Sequence, residues 1–136
     1  MTRTTVSTLR WPTAVALLVA AAAHVPVVPE HLREAPYMGA LFVGFTAVAA
    51  ALAVVLAVRG SASVPFVLSG LLCAAAVGMY CLTRVVAFPQ LGDDVGNWGE
   101  TAGVVSLASE AAVVALSAAY LRGRGRRGTN PEVRAT

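Results

Sequence analysis

No Asp, Glu, Lys or Arg falls between Arg10 and Glu30, between Glu34 and Arg59, or between Arg59 and Arg84. A fourth stretch, from Thr101 to Leu121, carries Glu110 as its single such residue. A helix rises 1.5 Å per residue, so about 20 mostly apolar residues cover the roughly 30 Å hydrocarbon layer of a bilayer. All four stretches are long enough. The pattern predicts helices over about residues 12–28, 36–58, 64–86 and 101–121. The breaks carry their own signals: Pro26, Pro29 and Pro36 bracket the first, Gly60 to Pro65 the second, and Pro89, Gly92, Gly96 and Gly99 the third. Short connections make neighbouring helices antiparallel. The expected fold class is all-α, a four-helix transmembrane bundle running up, down, up, down.

Orientation follows from the arginines, because cytoplasmic segments beside membrane helices are enriched in basic residues. Arg3 and Arg10 precede the first helix, Arg59 separates the second from the third, and Arg122, Arg124, Arg126 and Arg127 follow the fourth. The other side receives Glu30, His31, Arg33 and Glu34 in one connection and Asp93, Asp94 and Glu100 in another, a net acidic face. The chain therefore divides into a cytoplasmic N-terminus (1–11), a membrane domain (12–121) and a basic, Gly-rich cytoplasmic tail (122–136), RGRGRRGTNPEVRAT, expected to be disordered. The expected location is the plasma membrane, multi-pass, with both termini inside. Arg3 and Arg10 ahead of an apolar run ending in Ala20 to Ala23 also fit a secretory signal peptide. Its cleavage would leave three spans with their orientation unchanged.

Composition agrees with a lipid solvent: of 136 residues 57% are hydrophobic and only 12% charged, and the mean hydropathy is +0.73. The net charge is +3, with all ten basic residues Arg. Cys73 and Cys81, eight apart on one helix, lie roughly 12 Å apart along its axis and cannot pair with each other. No haem-ligand pair, CxxC motif, phosphate-cradling loop or Ser-His-Asp pattern is present, so nothing supports an enzyme. A basic tail without interleaved aromatics does not suggest nucleic acid.

The candidate chemistry is concentrated in a few polar residues. Glu110 falls about ten residues into the fourth helix, near mid-membrane, where an ionised carboxylate costs at least ~2.5 kcal/mol. It shares a stripe with Gly103, Ser106 and Ser117, which turns it toward the other helices. It is either a titrating or cation-coordinating group, or a protonated Glu hydrogen-bonded to a neighbouring helix. Ser69, Cys73, Tyr80 and Arg84 recur on one face of the third helix. Arg84 falls at the acidic end, against the positive-inside trend. It either pairs with Glu34, Asp93, Asp94 or Glu100, or holds an anionic ligand in its guanidinium fork. His24, His31 and Glu34 could supply three ligands to a divalent metal if the prolines fold their connection back. No other cofactor is indicated. Asp93, Asp94 and Asn97 stand where they could cap the fourth helix.

These residues suggest an outward-opening polar pocket lined by His24, Tyr80, Arg84, Glu100 and Glu110, with His31 and Glu34 at its rim. A small polar ligand, a proton or a metal ion would be its cargo. The other reading is a non-catalytic accessory or assembly subunit whose polar residues lock helix packing. Beyond the bilayer itself, the expected partner is a second copy, through Gly39, Ala47, Gly103 and Ser106, or a larger membrane protein. The segments AHVPVVPEHLREAPYMGALF (23–42), TRVVAFP (83–89) and WGETAGVVSLASE (98–110) resemble small four-helix integral membrane proteins of GC-rich actinobacteria. That resemblance implies the four-helix fold and brings no activity with it. The small multidrug resistance exporters share the length and the membrane Glu, but theirs lies in the first helix. Here the first helix carries His24 and the Glu is in the fourth.

Overall fold

The computed structural model describes residues 8–59 and 62–128, and their regular structure is entirely helical. In chain order the helices are α1 (Arg10–His24), α2 (Val28–Glu34), α3 (Pro36–Arg59), α4 (Ser63–Val85) and α5 (Thr101–Gly128). A 3-10 turn, Val25–Val27, joins α1 to α2, and another covers Gly92–Asp94. Four continuous helical stretches are long and apolar enough to cross a membrane: Arg10–Glu34, Pro36–Arg59, Ser63–Val85 and Thr101–Gly125.

Two boundaries differ from the sequence expectation. The first stretch does not stop near residue 28 but runs to Glu34. Pro26 and Pro29 each sit in the first turn of a new helical segment, where a missing N–H costs nothing. They therefore bend the helix through one tight turn and let it resume. The true break is Ala35, whose φ of −137° and ψ of 78° leave the α region that the following Pro36 disfavours. At the other end α5 continues past Leu121 to Gly128. Arginine forms helix readily, and positive charge suits a helix C-terminus. The N-terminal segment with Arg3, residues Gly60 and Ser61 of the second connection, and the tail from 129 lie outside the described residues.

α1 packs on α3 and α5, and α4 packs on α5, whereas α3 and α4 meet each other only sparsely. The α1–α3 seam is built from small residues at helical spacing. Ala14, Leu17 and Ala21 of α1 share one buried core with Ala49, Leu52, Ala53 and Leu56 of α3, and alanines let two backbones approach closely. At the far end of this core Phe66 of α4 stacks on Tyr120 of α5, with ring centroids 3.7 Å apart. A second, smaller cluster of Ala35, Met38 and Leu91, flanked by Phe42 and Phe88, fastens the connection between α4 and α5 over the start of α3. Tyr37 donates a hydrogen bond of 2.7 Å to the Pro89 carbonyl there. Gly96 turns that connection back with φ +79°, and its N–H reaches the Arg84 carbonyl at 2.9 Å.

Many large apolar side chains point away from these seams, among them Leu18, Val54, Val58, Val64, Leu71 and Val104. The polar residues run the other way: Ser69, Ser106, Ser109, Glu110 and Ser117 are all buried. The surface of the four stretches is thus largely apolar, while the apolar core also holds these polar groups.

Candidate functional site

Glu110 is 2% exposed, on the inward stripe of α5. One turn earlier on the same face, Ser106 donates a 2.6 Å hydrogen bond to Glu110 Oε1. The same oxygen lies 3.9 Å from Nε2 of His24, at the end of α1. Among the described residues no hydrogen bond reaches Oε2.

His24 is fixed by its own helix. Its Nδ1 donates to the Ala20 carbonyl at 2.9 Å, and because a carbonyl only accepts, Nδ1 carries the hydrogen of that bond. In the neutral ring Nε2 is then the lone-pair nitrogen, aimed at Glu110. Phe42 and Phe45 of α3 hold the ring from the side, with centroids 4.9 and 4.5 Å away. The Ser106 hydroxyl lies 3.5 Å from Nδ1, which links α1 and α5 through one polar cluster.

A second cluster lies at the end of α4. Arg84 is 5% exposed, with Nη1 2.8 Å from Asp94 Oδ1 and Nη2 3.3 Å from Glu100 Oε2. Its guanidinium sits 4.5 Å from the centre of the Tyr80 ring. Of the four acids considered as its partners, Asp94 and Glu100 are the ones engaged. Tyr80 in turn donates to the Trp98 carbonyl at 3.2 Å. Its ring lies over Gly103, where an added Cβ would come within 2.8 Å of Tyr80 Cε2. Gly103 is thus used to bring α4 and α5 together.

Both clusters open on one cavity of about 420 Å³, which all five expected residues line: His24, Tyr80, Arg84, Glu100 and Glu110. Ser106, Asp94 and His31 line it as well. Apart from Thr83 the rest of the wall is apolar, with Leu41, Phe42, Phe45 and Val48 of α3 and Leu72, Ala76 and Met79 of α4 in it. Periodicity had flagged Ser106 as a small packing residue, and its i−4 spacing from Glu110 is the signal that marks it as a hydrogen-bond donor to that carboxyl. The apolar walls carried no signal, because Leu and Val look alike on a lipid face, in a core or along a cavity.

The structure does not bring His24, His31 and Glu34 together as a metal-binding trio. No group of three or more His, Cys, Asp or Glu among the described residues is placed to hold a metal ion. His31 Nδ1 donates back to the Val27 carbonyl at 2.9 Å, and Glu34 is exposed at the end of α2, away from the cavity wall. Of the small residues expected to serve a partner copy, Gly103 is filled by Tyr80 and Ser106 by Glu110. At Gly39 a Cβ would lie 2.6 Å from the Leu32 backbone nitrogen, leaving Ala47 exposed.

No protein-family model, curated protein or solved structure gives a match to this chain.

Proposed function

We propose that this chain is a multi-pass plasma-membrane protein whose four helices run up, down, up, down with both termini in the cytoplasm. We further propose that it binds a small ligand in the cleft that ends on Glu110. The lengths of the four apolar stretches and the outward-pointing Val and Leu side chains support the membrane setting. The arginines before the first, between the second and third, and after the fourth stretch support the orientation. With that orientation His24, Arg84 and Glu100 belong to the outer half of the bundle.

The observation that carries the binding reading is Glu110 itself. A carboxyl group 2% exposed, with one oxygen held by Ser106 and the other without a hydrogen bond among the described residues, lines a 420 Å³ cavity instead of being packed against a partner on every side. Intramembrane carboxyl groups are expensive, and residues retained there usually handle protons or ligands. Arg84 supports the alternative of an accessory subunit at its own position, since Asp94 and Glu100 occupy its fork. Of the His and carboxyl groups that line the cavity, no three among the described residues are grouped to hold a metal, where zinc takes four ligands.

A lipid-soluble carbodiimide tests this reading. Dicyclohexylcarbodiimide adds the O–H of a protonated carboxyl across one C=N bond, and the adduct rearranges to a stable N-acylurea with no leaving group. In vesicles, peptide mass spectrometry should find this adduct on Glu110 and find none at that position in Glu110→Gln. A water-soluble carbodiimide should instead modify Glu30 and Glu34, which are exposed. Failure of the lipid-soluble reagent to mark Glu110 would sink the accessible-cleft reading.

A further inference from the structure

Resting on the reading of this same cleft as a membrane-embedded binding site, we infer that its ligand is an amphiphilic amine that reaches Glu110 sideways, between α3 and α4.

The route comes from packing. α3 and α4 are held by α1 and α5 and scarcely touch each other, so the cleft between them is not sealed along its length. Leu41 and Val48 of α3 and Met79 of α4 line it while remaining 54%, 48% and 38% exposed. Side chains that are both wall and surface put an opening at their level, on the apolar flank of the bundle. At the acidic end Tyr37 ties Pro89 across the bundle and Leu91 packs on Met38, and the part-exposed Asp94 and Glu100 line that end with charge, whereas the flank is lined by hydrocarbon. A ligand using the flank must itself be soluble in hydrocarbon over most of its body.

The head group follows from charge and from hydrogen-bond count. One guanidinium, Arg84, faces the cleft together with three carboxyl groups, Asp94, Glu100 and Glu110. Arg84 is engaged by the first two, so among the described residues the basic group nearest Glu110 is His24, 3.9 Å away, whose Nε2 is a lone-pair nitrogen in the neutral ring. An anionic head would meet a surplus of carboxyl groups, and a cationic one supplies the missing charge. Two acceptors belong to residues that line the cleft and have no hydrogen bond among the described residues: Glu110 Oε2, and His24 Nε2 because Nδ1 is committed to Ala20. A primary or secondary ammonium has at least two N–H donors and can satisfy both, whereas an ether, ketone or carboxylate offers none. Cleft volume and apolar walls suit an aromatic or branched alkyl body of modest size.

The test uses the full chain in phosphatidylcholine nanodiscs and three probes with one body and different heads: phenylbutylamine, phenylbutanol and phenylbutanoate. Calorimetric titration should give the amine an affinity at least about tenfold above the alcohol, with the carboxylate weakest. Glu110→Gln should erase the difference between amine and alcohol. Gly44→Leu should weaken amine binding by about tenfold, because it places a side chain in the flank opening. It should also fold, since a Cβ at Gly44 meets no atom within 4 Å. Should the carboxylate bind as well as the amine while carbodiimide still marks Glu110, the amine inference is overturned and the binding cleft stands. Unchanged amine binding in Gly44→Leu overturns the sideways route alone. Absence of the Glu110 adduct overturns the cleft and the amine together.

Discussion

Replacing Arg84 by methionine is expected to lower the unfolding free energy by about 2–3 kcal/mol and to release the connection between α4 and α5 from the end of the bundle. The guanidinium holds Asp94 and Glu100 at once, 2.8 and 3.3 Å away, from a position 5% exposed. Methionine keeps much of the volume and removes both charge-assisted bonds. The loss stays below that of a fully buried pair because Glu100 and, to a lesser degree, Asp94 retain water contact and can rehydrate. Lysine should recover only part of the stability, since one ammonium cannot reach two carboxylates in a fork geometry. Denaturant unfolding in detergent measures the loss, and limited proteolysis within residues 86–100 reports the release. Asp93→Asn is the control: Asp93 is exposed, makes no ion pair among the described residues, and its variant should unfold like the parent. A stable Arg84→Met with a protected connection would mean that the clamp does not hold that end.

The second large effect is expected at the opposite end of the bundle. Phe66→Ala should cost about 2–3 kcal/mol, read from the same unfolding experiment. The Phe66 ring is fully buried and lies nearly parallel to that of Tyr120, at an interplanar angle of 8°. In a water-soluble protein this truncation would also forfeit transfer free energy. Lipid tails are as apolar as a bundle interior, so in the proposed membrane setting the loss comes from the cavity and the missing dispersion contacts. Phe66→Leu should recover more than half of it. A Phe66→Ala variant within about 0.5 kcal/mol of the parent would show that the seam between α4 and α5 is held elsewhere.

The two ends differ in how far the sequence announced them. Four long apolar runs, the fourth broken by Glu110 alone, are a strong signal for helix, because a segment that crosses a bilayer has few alternatives. The seven-residue stripe through Gly103, Ser106, Glu110 and Ser117 did mark an inward face, with Ser106, Glu110 and Ser117 all buried. Arg84 against the positive-inside trend pointed to a carboxylate partner, and two were found. What periodicity could not supply was adjacency. Nothing in the composition of α3 and α4 says that these consecutive helices leave a gap between them, or that His24 of α1 reaches Glu110 of α5. Prolines misled at Pro26 and Pro29, where the same residue that ends a helix interior is harmless in a first turn. The proposed trio of His24, His31 and Glu34 assumed a folded-back loop. The helical course through α2 instead carries Glu34 away and turns His31 onto its own backbone.

The central claim is that Glu110 stands near the middle of a bilayer, at the floor of a cleft. A nitroxide at Ala111 tests it most directly, because this neighbouring side chain is exposed and lies off the inward stripe. The label is attached to Ala111→Cys in a Cys73→Ala, Cys81→Ala background and compared in vesicles with labels at Ala62 and Asn97. The label at 111 is predicted to collide freely with oxygen and hardly at all with an aqueous nickel chelate, giving the greatest depth of the three. Chelate accessibility at 111 equal to that at 62 and 97 would contradict the placement of Glu110 in the membrane.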